Sequence, residues 1–161
     1  MHRSRLSIGA HQNRDVAGTT EADSGWSYTV PANTLKVGQV LRVSVFGTLV
    51  NAGGGTTGKI KLVFGSTTID LTEIGGWTNA TGAWKAQVYI YVTGASAQLA
   101  DGWLFTRDTG SGHDLNGPND FASPTEAVSG TILIKTRLKA TDAGQTIRQK
   151  FVLVEILGAA T

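Results

Sequence analysis

The 161-residue sequence contains no cysteine, which excludes disulfides, thiol nucleophiles and cysteine-based zinc sites together. Charged residues make up only 16%, against about 25% in an average domain, and this is not the composition of a helical bundle. The 14 Lys and Arg against 12 Asp and Glu leave a net +2, too small an excess to mark a nucleic-acid partner. No apolar run approaches the roughly 20 residues of a membrane helix, so no membrane partner is expected. Met1-His2-Arg3-Ser4-Arg5 continues polar, without the apolar core of a signal peptide, so the product is expected to stay in the cytoplasm where it is made or to leave without the secretion machinery. No paired acid and base and no nucleophile beside a base stands out. No catalytic residue, enzyme activity or cofactor is therefore assigned.

Glycine is abundant instead, at 21 of 161 residues, about twice the usual share of roughly 7%. Threonine, valine, isoleucine and the aromatics fill the stretches between glycines, which is strand composition. Residues 1–24 carry Arg3, Arg5 and Arg14 but no periodic apolar pattern, and read as an extended arm ahead of one domain over 25–158. Within the domain the clearest strand is 83–92, where Trp84, Ala86, Val88, Ile90 and Val92 share one face and Lys85, Gln87, Tyr89 and Tyr91 the other. Leu41, Val43, Val45 and Leu49 repeat the pattern in 38–50, and Ile60, Leu62 and Phe64 alternate with Lys59 and Lys61. Gly65-Ser66 turns that strand into 67–71 as a hairpin. Leu99, Trp103 and Phe105 define an inward face for 97–107, and Ile132, Ile134 and Leu138 one for 129–139. In 146–157 the run Phe151-Val152-Leu153-Val154-Glu155-Ile156-Leu157 is apolar on both faces and calls for cover on both. With 26–30 these make eight strands. The expected fold is all-β, an eight-stranded antiparallel sandwich of jelly-roll type with an N-terminal arm; an immunoglobulin-like sandwich is the rival.

The stretch Ser27-Tyr28-Thr29-Val30-Pro31-Ala32-Asn33-Thr34-Leu35-Lys36-Val37-Gly38-Gln39-Val40-Leu41-Arg42-Val43 resembles the opening of small jelly-roll proteins of tailed-bacteriophage virions and prophages. Phe46-Gly47-Thr48, Lys59-Ile60-Lys61-Leu62, Gly82-Ala83-Trp84 and the closing amphipathic strand extend the likeness over about residues 26–157, as pattern rather than signature. It implies a capsid decoration (cement) protein, a homotrimer on the phage head surface with the major capsid protein as partner. A receptor-binding domain of a head or tail fibre is the alternative, and a carbohydrate-binding module the third reading. The family has no catalytic residue to carry over. The long 108–124 loop has no counterpart in it.

Several constellations name other chemistries. Gly53-Gly54-Gly55-Thr56-Thr57-Gly58 satisfies G-x-G-x-x-G, but the strand after it gives phosphates no helix N-terminus, and it reads as a loop. Asp108-Thr109-Gly110 matches the aspartic-protease triplet only once, where two carboxylates are required. Asp108, Asp114, Asn116, Asn119 and Asp120 are oxygen ligands of the type calcium takes, without EF-hand spacing. His2, His11 and His113 are too scattered for zinc. Of Trp26, Trp77, Trp84 and Trp103, the second lies in a glycine-flanked loop and is the candidate for an exposed glycan contact, while Trp84 and Trp103 are expected in the core. Lys135, Arg137 and Lys139, with Arg148 and Lys150, form a basic face on what read as adjacent strands; without interleaved aromatics it suits a solvated outer face, or a patch meeting an acidic capsid surface, better than nucleic acid. Arg3, Arg5 and Arg14 would anchor the arm to the capsid.

Overall fold

Alternating apolar and polar side chains become paired ladders throughout the computed structural model, which describes residues 8–17, 19–50, 56–77, 81–108, 112–114, 121–140 and 144–158. Among these residues the strands are β1 (Ile8–Ala17), β2 (Ala22–Val30), β3 (Val40–Val50), β4 (Thr56–Phe64), β5 (Thr67–Trp77), β6 (Thr81–Gly94), β7 (Ala97–Asp108), β8 (Gly112–Asp114), β9 (Phe121–Ala122), β10 (Ile132–Ala140) and β11 (Thr146–Leu157). No helix occurs among them. All eight expected strands are present, as β2 to β7, β10 and β11.

Two antiparallel sheets face each other. The larger runs β1-β11-β3-β6-β7-β8, with β9 also on the outer edge of β7, and the smaller runs β2-β10-β4-β5. Leaving out β7, β8 and β9, first strand pairs with last, second with second-last, third with sixth and fourth with fifth. That is a hairpin ribbon wound around a barrel, the wiring of a jelly roll. The eight strands of the roll are therefore not the eight read from the sequence. Residues 8–17, read as unpaired arm, are the first strand of the roll, and β7 is an addition beside β6. β1 escapes sequence reading because its ladder with β11 breaks register between His11 and Arg14, so no single alternation runs through it.

The core lies between the sheets. Leu41, Val43, Val45 and Leu49 from β3, Trp84, Ala86, Val88, Ile90 and Val92 from β6, and Ile60, Leu62 and Phe64 from β4 are buried there. β11 supplies Ile147 and then Val152, Val154 and Ile156, odd positions giving way to even. The switch is a bulge: Gln149 pairs with Gly47 and Phe151 with Phe46, leaving Lys150 as the extra residue. This explains a strand that looks apolar on both sides. The outward Phe151, Leu153 and Leu157 are half-buried on the single chain.

The expected inward face of β7 is reversed. Leu99 and Trp103 are 49% and 42% exposed, whereas Ala100 and Leu104 are buried. Pairing with β6 sets Leu99 opposite Tyr91, Trp103 opposite Gln87 and Phe105 opposite Lys85, all on the outer face. The inner side has no room for rings, because a Cβ added at Gly102 would collide with the Leu71 side chain of the other sheet. The smaller alternating set goes in and the larger stays out.

One buried polar chain ties the sheets together. Thr136 of β10 donates to Gln149 Oε1 of β11, so its oxygen must accept from the Ser24 hydroxyl at 2.6 Å; Ser24 in turn accepts from the Trp26 amide at 3.2 Å. All three side chains are buried, so each bond replaces water that cannot reach it. Replacing Thr136 by valine keeps the volume and strands Ser24 and Gln149; the expected loss is about 1–3 kcal/mol. Gly102→Val, which overpacks the sheet interface, is expected to cost about 1–3 kcal/mol as well. Urea-unfolding midpoints measure both, and an unchanged midpoint in either variant contradicts the corresponding contact.

Candidate functional site

The basic face read from the sequence is split between the two sheets, and several of its cations are paired. β10 and β11 belong to different sheets, so Lys135, Arg137 and Lys139 do not join Arg148 and Lys150 on adjacent strands. Three acids of the stretch read as arm, Asp15, Glu21 and Asp23, meet several of these cations. Asp23 sits 2.9 Å from Lys135 Nζ and 3.1 Å from Arg137 Nε, and Glu21 lies 3.0 Å from Arg137 Nη1 and 2.8 Å from Lys61 Nζ. In the larger sheet Arg148 clasps Asp15 with two nitrogens, a bidentate geometry. Hydrogen bonding from Arg148 holds the Asp15 carboxyl below its ordinary pKa, and Lys61 and Lys135 do the same for Glu21 and Asp23, each against a smaller opposing push from burial.

The other predicted positions do not assemble into a site. Arg3 and Arg5 lie outside the described residues; Arg14 is in β1, opposite Gln149. Trp77 is the last residue of β5, opposite Thr56, rather than part of a loop. Of the calcium candidates, Asp108 ends β7 opposite Gly112 and Asp114 ends β8 opposite Thr106, while Asn116, Asn119 and Asp120 lie outside the described residues. His113 pairs with Arg107 in β8, His11 lies in β1, and His2 is outside. Among the described residues no three His, Asp or Glu side chains converge on a point that could hold a metal. Of the tryptophans, Trp26 and Trp84 are buried and Trp103 is not.

The outer face of the larger sheet is the surface that sequence reading missed. Register stacks it in rows across the strands. Glu155, Arg42, Tyr89, Asp101 and Phe121 make one row, Leu153, Ser44, Gln87 and Trp103 the next, and Phe151, Phe46, Lys85 and Phe105 a third. Phe121 is 75% exposed, the most of any large apolar residue described. Charge here is sparse and mostly engaged. Arg42 donates to Glu155 through two nitrogens, and Lys85 Nζ lies 5.5 Å from the Phe46 ring centroid and 5.8 Å from that of Phe105. Toward β7 the face dips into a recess of about 420 Å³ lined by Gln87, Tyr89, Tyr91, Asp101, Trp103 and Phe105. Aromatic side chains on the polar side of an otherwise clean alternation, Tyr89 and Tyr91, were the signal available in the sequence.

No protein-family model matches the chain, and no curated protein does. Solved structures of similar backbone include a lectin from Bauhinia forficata in complex with GalNAc, at 10% identity and a TM-score of 0.39 over 96% of this chain and 99% of that one. Another is the structure of infectious bursal disease virus Gx strain, at 13% identity and a TM-score of 0.37, covering 98% of this chain and 42% of that one. Neither likeness, at a TM-score under 0.5, says more than the strand order does.

The depressed acids set the acid response of the fold. Their stabilisation is complete above the ordinary carboxylate range of about 4 and is lost as pH falls through and below it. Thermal unfolding followed between about pH 7 and 2.5 is expected to show a midpoint that declines below about pH 4. Asp23→Asn should flatten part of that decline; a decline identical to that of the unaltered chain would show that the cluster adds nothing.

Proposed function

We propose that the chain is a non-enzymatic bacteriophage virion structural protein, a capsid decoration protein that binds the head as a homotrimer. The observation that supports this most is the position of β1. The far edge of the larger sheet is capped, since β8 and β9 both pair with β7. At the near edge β1, ten residues long, has no strand on its outer side among the described residues. Natural sheets blunt or cover such edges, and one left open is a template for another chain. A strand edge meeting a different patch on the next copy is a heterologous contact, which closes into a ring around a threefold axis. The stretch resembling phage virion proteins supplies the end of β2, the turn after it and the start of β3. Arg3 and Arg5, the proposed capsid anchor, precede β1 in the sequence and lie outside the described residues.

The pairing of the basic strands with Asp15, Glu21 and Asp23 moves capsid attachment away from Lys135 and Arg137. The anchor therefore falls to the N-terminal segment. Light scattering on the purified chain should give three times the 16.9 kDa chain mass, and imaging of purified particles should place its density on the head. A chain that stays monomeric at every concentration, or density confined to the tail, overturns the proposal. Removing residues 2–7 is expected to leave the thermal midpoint unchanged and lower head occupancy at least several-fold. Removing residues 2–17 takes away the first strand of the roll and should destabilise the fold itself.

A further inference from the structure

The recess on the outer face lies at the β6–β7 side of the larger sheet, across β11 and β3 from the open edge of β1. It stands clear of the β1 edge. We propose that it is a binding site for a neutral pyranose glycan.

The lining combines flat rings with two oriented oxygens. Tyr89 and Tyr91, two residues apart on β6, present a stacked pair of rings 6.5 Å apart and at only 26° to one another. Trp103 and Phe105 stand beside them from β7. Asp101 is held by Trp103, whose Nε1 donates to Oδ2 at 3.1 Å, and Oδ1 keeps no partner among the described residues. Gln87 is held by its Nε2 donating to Ser44 Oγ at 3.2 Å, and Oε1 is likewise left over. Each polar group is thus fixed by a neighbour and has one acceptor to spare.

A pyranose ring has the matching chemistry. Its axial C–H groups form an apolar face that packs on aromatic rings, and its equatorial hydroxyls are donors at the rim. The recess volume lies within the range of small-ligand sites, roughly 300–1,000 Å³. The charge pattern selects a neutral ligand. Asp101 repels anions, and the neighbouring cations are already engaged: Arg42 is paired with Glu155, and Lys85 lies over Phe46 and Phe105. A second copy of the chain fits less well. A flat protein face closing the recess would bury the Asp101 carboxylate with an oxygen unmet, a costly arrangement that hydroxyl donors relieve.

The test is a titration of the intact chain with methyl glycosides of glucose, galactose and mannose, and with N-acetylglucosamine, followed by amide chemical shifts and tryptophan fluorescence. The expected result is saturable binding of at least one of these sugars at about millimolar concentration, with shifts centred on Tyr89, Tyr91, Asp101 and Trp103. Trp103→Ala is expected to abolish saturation and Asp101→Ala to weaken binding at least about tenfold. Both side chains are on the surface, so the thermal midpoint of either variant should match the unaltered chain and confirm folding. Trp77→Ala should bind as the unaltered chain does. Three results overturn the site: no saturable response to any of the four sugars, affinity undiminished in Trp103→Ala and Asp101→Ala, or the same amides shifting on dilution without sugar, which would give the recess to a second copy. All three can be told apart from failure of the trimer, because they are read on the isolated chain whatever its mass.

Discussion

The fold depends on closing the roll, and closing it requires the first fifth of the chain to find the last. Among the described residues β1 pairs only with β11 and β2 only with β10, so neither N-terminal strand has a ladder until the C-terminal strands exist. Such distant pairings carry a large loop-closure entropy, and the structure offsets it at several levels. Backbone ladders run the length of both pairs. Asp15 clasps Arg148, and Glu21 and Asp23 bridge to Arg137 and Lys135 across the ladder of the smaller sheet. Beneath them the Ser24–Thr136–Gln149 chain crosses from one sheet to the other. Surface ion pairs of this kind contribute little singly. Their role is one of register, since acid and base meet only when the strands are aligned.

That closure also sorts the two outer faces. On the smaller sheet Lys61 of β4 and Lys135 and Arg137 of β10 meet Glu21, Asp23 and Asp70, so much of the charge on that face is paired. On the larger sheet there are few acids to match, and aromatic side chains cover β3, β6, β7 and β11 instead. Polar groups there serve the rings: Trp103 is oriented by Asp101, and Lys85 lies over two phenylalanines. The sandwich thus presents one polar face and one aromatic face, with β1, β2 and β5 as strands that have no outer neighbour among the described residues.

Chain 121–131 shows how the additions beside the roll are kept in place. Gln98 uses its amide as a second backbone, accepting from the Glu126 amide at 3.0 Å and donating to its carbonyl at 2.9 Å. The Glu126 carboxylate then accepts from Ser66, both amide and hydroxyl, at the β4–β5 turn. A Cβ at Gly65 would collide with that carboxylate, and its φ of +60° is one that glycine adopts without strain. The segment thus bridges the added strand and the smaller sheet, and a buried glutamine in β7 becomes an anchor rather than a misplaced polar residue.

Alternation by itself located β2 to β7, β10 and β11 and, for β3, β4, β6 and β10, which side faces the core, because period two is a local property of the chain. The Gly65-Ser66 hairpin was legible for the same reason. Pairing partners were not, because any two apolar faces satisfy one another and only the closed roll selects β11 for β1. Only the tertiary structure decided that Trp103 lies outside, since the choice rests on the clearance between Gly102 and Leu71 in the opposite sheet. The recess followed from that choice: it needs β6 and β7 in one register, with Tyr89 beside Asp101 and Gln87 beside Trp103, a neighbourhood that residues twelve to sixteen positions apart acquire only by pairing.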